Sequence, residues 1–226
     1  YKVMGMAAYG KPIHISKVKK LYKQAKDGSI KLDLGYFAFH KSSKSMYSEK
    51  FAKLFKVLDR FDIAASLQAS TEEIVFNMLG YISEQTKQKN IVLGGGVALN
   101  SVINGKIVKK TPFKNVFIFP AAGDDGGAVG AALYLYHHVL GHKKRKKLNN
   151  IFLGKDSKEN DIKLLIDKHS LNMKKMTDKE LFEFISTKIS NGKVIGWFEG
   201  RAEFGPRALG HRSILADPRN PKMKDI

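Results

Sequence analysis

The chain of 226 residues is long enough for one large domain or two small ones, and its 43% hydrophobic content is typical of a globular fold. It contains no cysteine, which excludes a disulfide framework, a thiolate metal site and a cysteine nucleophile. No apolar run approaches the roughly 20 residues that a membrane-spanning helix needs. We therefore expect a cytoplasmic protein without membrane association.

The formal net charge of +19 comes mostly from lysines that are spread along the chain. Nucleic-acid-binding proteins more often cluster their arginines and interleave aromatic side chains for base stacking. The diffuse lysines therefore indicate a solvated surface that attracts anionic substrates, without a specific nucleic-acid partner. The arginines are more informative, because four of the six lie between positions 201 and 219.

The first predicted elements are helical. Residues 13–26 have apolar side chains at helical spacing, and Gly28 follows as a stop signal. The sequence Ser70-Thr71-Glu72-Glu73 predicts a capping box, in which Ser70 accepts a hydrogen bond from the Glu73 amide at the start of a second helix.

Two successive segments then join an apolar strand to a glycine-containing turn. Residues 91–93 form a short buried strand that runs into Gly94-Gly95-Gly96, and residues 97–109 have helical spacing. Residues 116–119 form a second strand, followed by Gly123-Asp124-Asp125-Gly126-Gly127 and a helix of small residues. Repetition of strand, glycine turn and helix predicts an α/β fold with a parallel sheet and ligand-binding loops at the strand ends.

The charged run at 142–147 is typical of a solvated linker, and it marks a domain boundary near residues 145–155. Beyond it, residues 161–169 and 178–190 have helical patterns, and residues 193–198 form a strand. The chain is thus expected to divide into domains 1–150 and 151–226.

The two glycine turns suit a nucleotide and a metal ion. Glycine lets backbone amides approach a ligand closely, and the following helix offers its positive end. Asp124 and Asp125 add carboxylates of the kind that hold a hard divalent cation or Mg²⁺–phosphate. The alternative is that one aspartate simply caps the next helix.

His138 and His142 have the four-residue spacing that places two imidazoles on one face of a helix, as in zinc sites. Gly141 and the basic run that follows indicate instead the end of a helix, where cations are favourable in their own right. We assign no metal site to this pair.

An arginine-rich segment follows the last predicted strand. Arg201, Arg207 and Arg212 are separated by a Gly-Pro pair and a further glycine, which fix turns and exclude a long helix. Guanidinium groups on a bent backbone are suited to binding phosphate or carboxylate. The pattern predicts an anion site, the alternative being a charged surface loop.

These motifs resemble the O-carbamoyltransferases of the nodulation-factor and antibiotic-tailoring family. The likeness is carried, in order along the chain, by residues 4–10, 93–100, 120–132 and 197–219. It implies that residues 1–150 are the second half of a Kae1-like domain of the actin/Hsp70-like ATPase superfamily. Residues 151–226 would be the opening part of a YrdC-like α/β domain.

The resemblance also implies an activity. ATP and carbamoyl phosphate would form a carbamoyl-adenylate in the YrdC-like domain. The carbamoyl group would then pass to a hydroxyl of a sugar-containing or natural-product acceptor in the Kae1-like domain, beside a divalent metal, Fe²⁺ with Mg²⁺ as the alternative.

Carried over motif by motif, the family's roles fall on eight residues of this sequence. Asp124 would be a metal ligand. The nucleotide-contacting residues would be Gly95, Gly96 and Asn100. The residues that bind carbamoyl phosphate and the adenylate would be Arg201, Arg207, Arg212 and Ser213.

We expect the chain to be a piece of a longer protein and inactive alone. The family's metal-binding histidine pair and first phosphate loop would precede Tyr1, and a basic segment completing the adenylation site would follow Ile226. Three other functions stay open: a hydrogenase-maturation-type carbamoyltransferase, which the lack of cysteine zinc fingers disfavours, a non-catalytic actin-like nucleotide-binding module, and a basic nucleic-acid binder that only the charge suggests. The sequence does not indicate the acceptor or the oligomeric state.

Overall fold

The computed structural model describes residues 2–145, 148 and 150–223. The chain divides into two compact units, Tyr1–Asp124 and Asp125–Ile226. The domain boundary near residue 150 stays a prediction, because compactness alone does not show which residues complete each domain. No described helix is long and apolar enough to cross a membrane.

The first unit combines short helices, one long helix and two pairs of strands. Its helices are α1 (Lys2–Ala7), α2 (Ile15–Val18), α3 (Glu49–Phe55), α4 (Arg60–Thr86), α5 (Ser101–Asn104) and α6 (Ile107–Lys110). Its strands are β1 (Tyr22–Gln24), β2 (Ile30–Leu32), β3 (Asn90–Leu93) and β4 (Asn115–Ile118).

The segment predicted as one helix over residues 13–26 is helical only in its first part. After α2, the chain forms β1, which pairs antiparallel with β2. The turn between these strands explains the difference, since Gly28 has a φ of 81° and the Ser29 amide donates to Asp27 Oδ1 at 2.9 Å. An Asp-Gly pair is a strong hairpin signal, and here it outweighs the helical spacing.

Helix α4 begins earlier than the capping box at Ser70 predicted, so that prediction is wrong. The Asp59 carboxylate caps the helix by accepting from the amides of Phe61 and Asp62. Ser70 lies inside the helix and is fully buried. The neighbouring hydroxyl of Thr71 donates to the Leu67 carbonyl one turn earlier, which lets the helix continue through its Ser/Thr residues.

Strands β3 and β4 pair in parallel, which confirms the predicted strand–turn–helix repeat. Their register places Ile91 beside Val116, and a buried cluster of Leu79, Ile107 and Phe113 packs against this face. The other face is open, since Val92 is 74% exposed, so β3 is half-buried where the sequence predicted full burial. The helix predicted at 97–109 is divided into a 3₁₀ turn, α5 and α6.

The second unit contains the predicted helices and strand with nearly the expected bounds. Its helices are α7 (Gly127–Tyr134), α8 (Glu159–His169) and α9 (Asp178–Ser190), and a π-helical turn (Leu135–Val139) follows α7. Its strands, β5 (Ile195–Phe198) and β6 (Arg212–Leu215), pair antiparallel, and the arginine-rich segment connects them. The described fold is therefore mixed α/β, as expected.

Candidate functional site

The two glycine turns lie at the carboxyl ends of the parallel strands β3 and β4. They are joined directly, because the Gly95 amide donates to the Ala122 carbonyl at 2.7 Å. Parallel pairing brings both strand ends to one edge, which is where ligands bind in open α/β sheets. The structure thus places Gly95, Gly96 and the turn that precedes Asp124 at one edge of the first unit.

The space around the glycines is open. A Cβ added at Gly94, Gly95 or Gly96 would meet no atom within 4 Å. Gly95 has a φ of 93° and a ψ of 161°, a conformation that is essentially restricted to glycine. This turn therefore presents backbone to open space, as a loop that binds phosphate must.

Asn100 performs a structural task next to these glycines. Its Oδ1 accepts from the Ile103 amide at 3.2 Å and caps α5, while its Nδ2 donates to Gln68 Oε1 at 2.8 Å. Gln68 in turn donates to Glu72, whose carboxylate pairs with Lys106 at 2.7 Å. The Asn100 amide is therefore already engaged on both sides, and its contact with a nucleotide stays a prediction.

Asp124 is exposed at the start of a 3₁₀ turn, Asp124–Gly126. Among residues 2–145, 148 and 150–223, no group of three or more His, Asp or Glu side chains is arranged to hold a metal ion. A single carboxylate is fewer ligands than a divalent cation takes. The described residues alone do not fit a complete metal centre.

The two histidines with zinc-like spacing do not share a face. His138 stacks on Tyr134 with ring centroids 5.0 Å apart, whereas His142 stacks on Tyr136 at 4.2 Å. The π-helical turn ends before His142 and breaks the helical spacing.

In the second unit, Arg201 ties the arginine-rich segment to the chain that precedes α8. Its Nε donates to the Gly154 carbonyl at 2.6 Å. The Gly154 amide donates to the Ala202 carbonyl at 3.0 Å, and the Phe204 amide donates to Ile151 at 2.7 Å. Residues 151–154 thus run beside residues 201–204.

Glu203 is the centre of this loop. Its side chain is fully buried, and Oε1 accepts from the backbone amides of Leu209, His211 and Arg212 at 2.7, 2.8 and 3.2 Å. Its Oε2 accepts from Arg212 Nε at 2.9 Å. One buried carboxylate therefore holds the far side of the loop to its beginning.

Arg212 completes the same network from the other direction. Its Nη2 donates to three backbone carbonyls, those of Glu203, Gly205 and Arg207, at 3.2, 2.8 and 3.3 Å. A guanidinium group that is used in this way shapes the loop. The structure thus gives Arg212 an internal role beside the anion-binding role predicted for it.

The other predicted residues lie on this framework. Arg207 is half-buried within the loop, between Gly205 and Gly210, which both have positive φ values of 122° and 118°. Ser213 is on β6, opposite Trp197 on β5. His211 stacks on Phe152 with ring centroids 3.6 Å apart, and its Nδ1 lies 2.8 Å from the Arg201 carbonyl oxygen. The predicted residues thus lie within one loop and the strand that follows it, and their contact with an anion stays a prediction.

Two carboxylates of this unit, Glu203 and Asp217, are held in their charged forms. Burial opposes ionisation of Glu203, but the hydrogen bonds from Arg212 and the backbone amides prevail and leave its pKa well below the usual range. Hydrogen bonds from the Arg219 side chain and amide lower the pKa of Asp217 to about 2. Both acids are thus anionic across the physiological range.

Glu203 is the residue whose role sequence analysis missed. Its position between two arginines, two residues before a Gly-Pro turn, is the signal that could have identified it. A carboxylate there is close enough in sequence to accept from the amides of the returning chain. The sequence predicts three anion-binding arginines, whereas Arg212 is paired with Glu203 and Arg201 donates to the Gly154 carbonyl.

Comparison with known proteins identifies the family. The sequence profile described as Carbamoyltransferase N-terminus matches residues 1–133. The chain belongs to the carbamoyltransferase family. The profile described as Carbamoyltransferase C-terminus matches residues 186–226, which include the whole arginine-rich segment. The resemblance to O-carbamoyltransferases is therefore confirmed.

Proteins similar to this chain include two nodulation proteins and one protein named as an O-carbamoyltransferase. The chain is 36% identical to nodulation protein NolNO of Sinorhizobium fredii, with 100% of the chain and 33% of that protein covered. It is 35% identical to nodulation protein NolO of Bradyrhizobium diazoefficiens, covering 100% and 41%. It is 27% identical to 3'-hydroxymethylcephem-O-carbamoyltransferase of Amycolatopsis lactamdurans, covering 72% and 29%. The chain thus spans well under half the length of these relatives.

Proposed function

We propose that this chain is part of an ATP-dependent carbamoyltransferase that carbamoylates a hydroxyl group of a sugar-containing or natural-product acceptor. The observation that carries the proposal is the match of two carbamoyltransferase profiles to the segments that contain the glycine turns and the arginine loop. The printed name of the Amycolatopsis relative, which includes O-carbamoyltransferase, supports a hydroxyl as the group that is modified.

The proposed reaction has two steps. Water hydrolyses carbamoyl phosphate to carbamate and phosphate, and a carbamate oxygen then attacks the α-phosphorus of ATP, which gives carbamoyl-adenylate and releases pyrophosphate. The acceptor hydroxyl oxygen then attacks the carbamoyl carbon, the bond to the adenylate oxygen breaks, and AMP leaves as the hydroxyl loses its proton. The proposal includes a YrdC-like fold for the first step and an actin/Hsp70-like fold, contributed by the first domain, for the second.

The arginine loop suits the first step. Glu203 and Arg212 fix the loop from within, so Arg207 is presented from a preorganised turn. A guanidinium group that is already oriented stabilises phosphate charge without the cost of reorganisation. In this proposal, Arg201 and Ser213 border the same anion site.

The glycine turns suit the nucleotide of the second step. The Gly95 region offers open backbone at the end of a parallel strand pair. Asp124 would be one ligand of a divalent metal, which would polarise a reacting oxygen as a Lewis acid when bound. Because the described residues supply one carboxylate, the remaining ligands have to come from elsewhere in a longer protein.

The test uses a protein of full family length that contains this chain. It is incubated with ATP, carbamoyl phosphate and a panel of sugar and aminoglycoside acceptors, and carbamate esters are detected by mass spectrometry. We expect an ester only when both ATP and carbamoyl phosphate are present. Nucleotide binding in calorimetry without any dependence on carbamoyl phosphate would instead identify a non-catalytic actin-like module.

A further inference from the structure

An apolar cavity lies in the first unit beneath the β1–β2 hairpin, away from the glycine turns in sequence. We call it the vault: helix α4 forms its floor, the hairpin its roof and helix α3 one wall. Its volume is about 330 Å³, which lies within the range of about 300–1,000 Å³ typical of small-molecule sites. Its lining includes Leu67 and Ile74 on the floor, Ile30 and Leu32 on the roof, and Phe51 and Phe55 on the wall.

The roof is fixed above the floor by specific contacts. Gln24 Nε2 donates to the Ile74 carbonyl at 3.0 Å, and Asn77 Nδ2 donates to Gln24 Oε1 at 2.9 Å. At the hairpin tip, Gly28 packs so closely on α4 that an added Cβ would lie 2.7 Å from Met78 Cα. These contacts hold the tip of the hairpin in place, so the vault is built into the fold.

The floor contains a buried hydroxyl group. Ser70 lines the vault and is fully buried. Burial raises the pKa of the nearby Tyr22 phenol, and the Ser70 hydroxyl opposes that rise. Tyr22, Ser70 and Thr71 thus place three hydroxyl groups on the otherwise apolar lining of the vault.

A basic cleft adjoins the vault. Tyr22 and Leu32, which face each other across the hairpin, line both spaces. The cleft has a volume of about 800 Å³ and is also lined by four lysines, Lys19, Lys20, Lys23 and Lys31, and by one carboxylate, Asp33, which pairs with Lys50 at 3.5 Å. Lys19 pairs with Glu73 at 2.7 Å, whereas Lys20, Lys23 and Lys31 make no ion pair within the described parts of the chain.

The combination of an apolar cavity and a lysine-lined cleft defines one class of ligand. A neutral apolar compound would leave the lysines unused, and a small inorganic anion would leave the vault empty. We propose that the vault and the basic cleft together bind an amphipathic carboxylate of the medium-chain fatty-acid type. Its chain lies in the vault and its carboxylate lies among Lys20, Lys23 and Lys31.

This site is independent of carbamoyl transfer, since it uses none of the residues assigned to that reaction. The probe is decanoate, titrated into the 226-residue chain by calorimetry below its critical micelle concentration, with decanol as the uncharged control. We expect decanoate to bind about tenfold more tightly than decanol, because two or three partly exposed cations each contribute modestly. Added salt should remove most of that difference.

Variants separate the two halves of the site. The double variant Lys20→Gln/Lys31→Gln should bind decanoate about tenfold more weakly and leave decanol unchanged. The matched control is Lys163→Gln/Lys168→Gln on α8, which should bind like the parent. Leu67→Trp fills the vault and should abolish binding of both probes; Ile30→Trp on the exposed roof tests the same point if Leu67→Trp fails to fold.

Three results would overturn the proposal. The first is that decanoate does not bind, and the second is that decanol binds as tightly as decanoate. The third is that decanoate binding survives in the double lysine variant or in a folded vault-filling variant. None of these results would bear on carbamoyl transfer, which is measured with different ligands.

Discussion

The glycine turns of the first unit and the arginine loop of the second differ in how they are held. The glycine turns are positioned by the backbone: a parallel strand pair and one amide-to-carbonyl bond between Gly95 and Ala122. The arginine loop is positioned by side chains, because Glu203 and Arg212 together bond to six backbone groups. The first leaves open backbone at its surface, and the second is filled by its own polar network.

This difference shows that the number of charged side chains in a motif need not equal the number that are available to bind a ligand. Three arginines in a short motif predict three anion-binding groups, yet Arg212 uses its guanidinium on the loop itself. The glycine turns carry no positive side chain, and the Gly95 amide is bonded to the Ala122 carbonyl, yet the space beside Gly94, Gly95 and Gly96 is open. We infer that Arg212 acts mainly by holding the loop in shape, while the open space beside the glycines lets a ligand approach the backbone closely.

The largest expected effect tests the side-chain network. Glu203→Gln places an amide where a buried carboxylate accepts from three backbone amides and Arg212, and it leaves Arg212 without its charged partner. We expect a loss of about 3 kcal/mol in the free energy of unfolding. Denaturation followed by the fluorescence of Trp197, the single tryptophan of the chain, reports on this region directly.

The control for that variant is Glu199→Gln, the same chemical change at an exposed carboxylate four residues earlier. It should leave the unfolding midpoint unchanged within error. If Glu203→Gln were as stable as Glu199→Gln, the loop would not depend on its buried carboxylate.

A smaller effect is expected for the backbone of the glycine turn. Gly95→Ala has space for its methyl group, but the alanine would have to adopt a φ of 93° and a ψ of 161°, which costs about 2 kcal/mol. Gly94→Ala is the matched control, because it has equal space and no positive φ. Hydrogen exchange of the β3 and β4 amides measures the local stability of both variants. Equal protection of these amides in the two variants would contradict the proposed strain at Gly95.

The smallest effect concerns the loss of folding stability at low pH. The folded-state pKa of Asp217 is lowered to about 2, so its stabilising contribution is present above the unfolded-state value near 4 and is lost as the pH falls towards 2. Asp217→Asn should therefore lose stability at pH 6 and show a shallower decline between pH 4 and pH 2 than the parent. Stability is measured against pH for parent and variant by Trp197 fluorescence. An equal decline between pH 4 and pH 2 in the two proteins would show that the Asp217–Arg219 pair is not coupled to folding.

The sequence predicted the βαβ segment well, since apolar strands ending in glycine turns are local signals with one common outcome. Strands β3 and β4 and helices α8 and α9 all occur close to the expected bounds. The family itself was also recognisable, because the segment around Arg207 and Ser213 is highly specific.

The errors arose where two local signals competed. In residues 13–26, helical spacing was weighed without the Asp27-Gly28 turn, which converts half of the segment into a hairpin. At Ser70, a capping box was read inside a helix that Asp59 already begins. The Glu203–Arg212 pair could not be predicted from spacing alone, because it depends on how Gly205 and Gly210 return the chain.

The central claim is tested most directly by following the two half-reactions separately in a protein of full family length. We expect Arg207→Ala to reduce carbamoyl-phosphate-dependent release of pyrophosphate at least tenfold, because one charged phosphate contact is lost. Transfer from preformed carbamoyl-adenylate to the acceptor should remain close to the parent rate. Unchanged pyrophosphate release, or loss confined to the transfer step, would contradict the assignment of the arginine loop to adenylation.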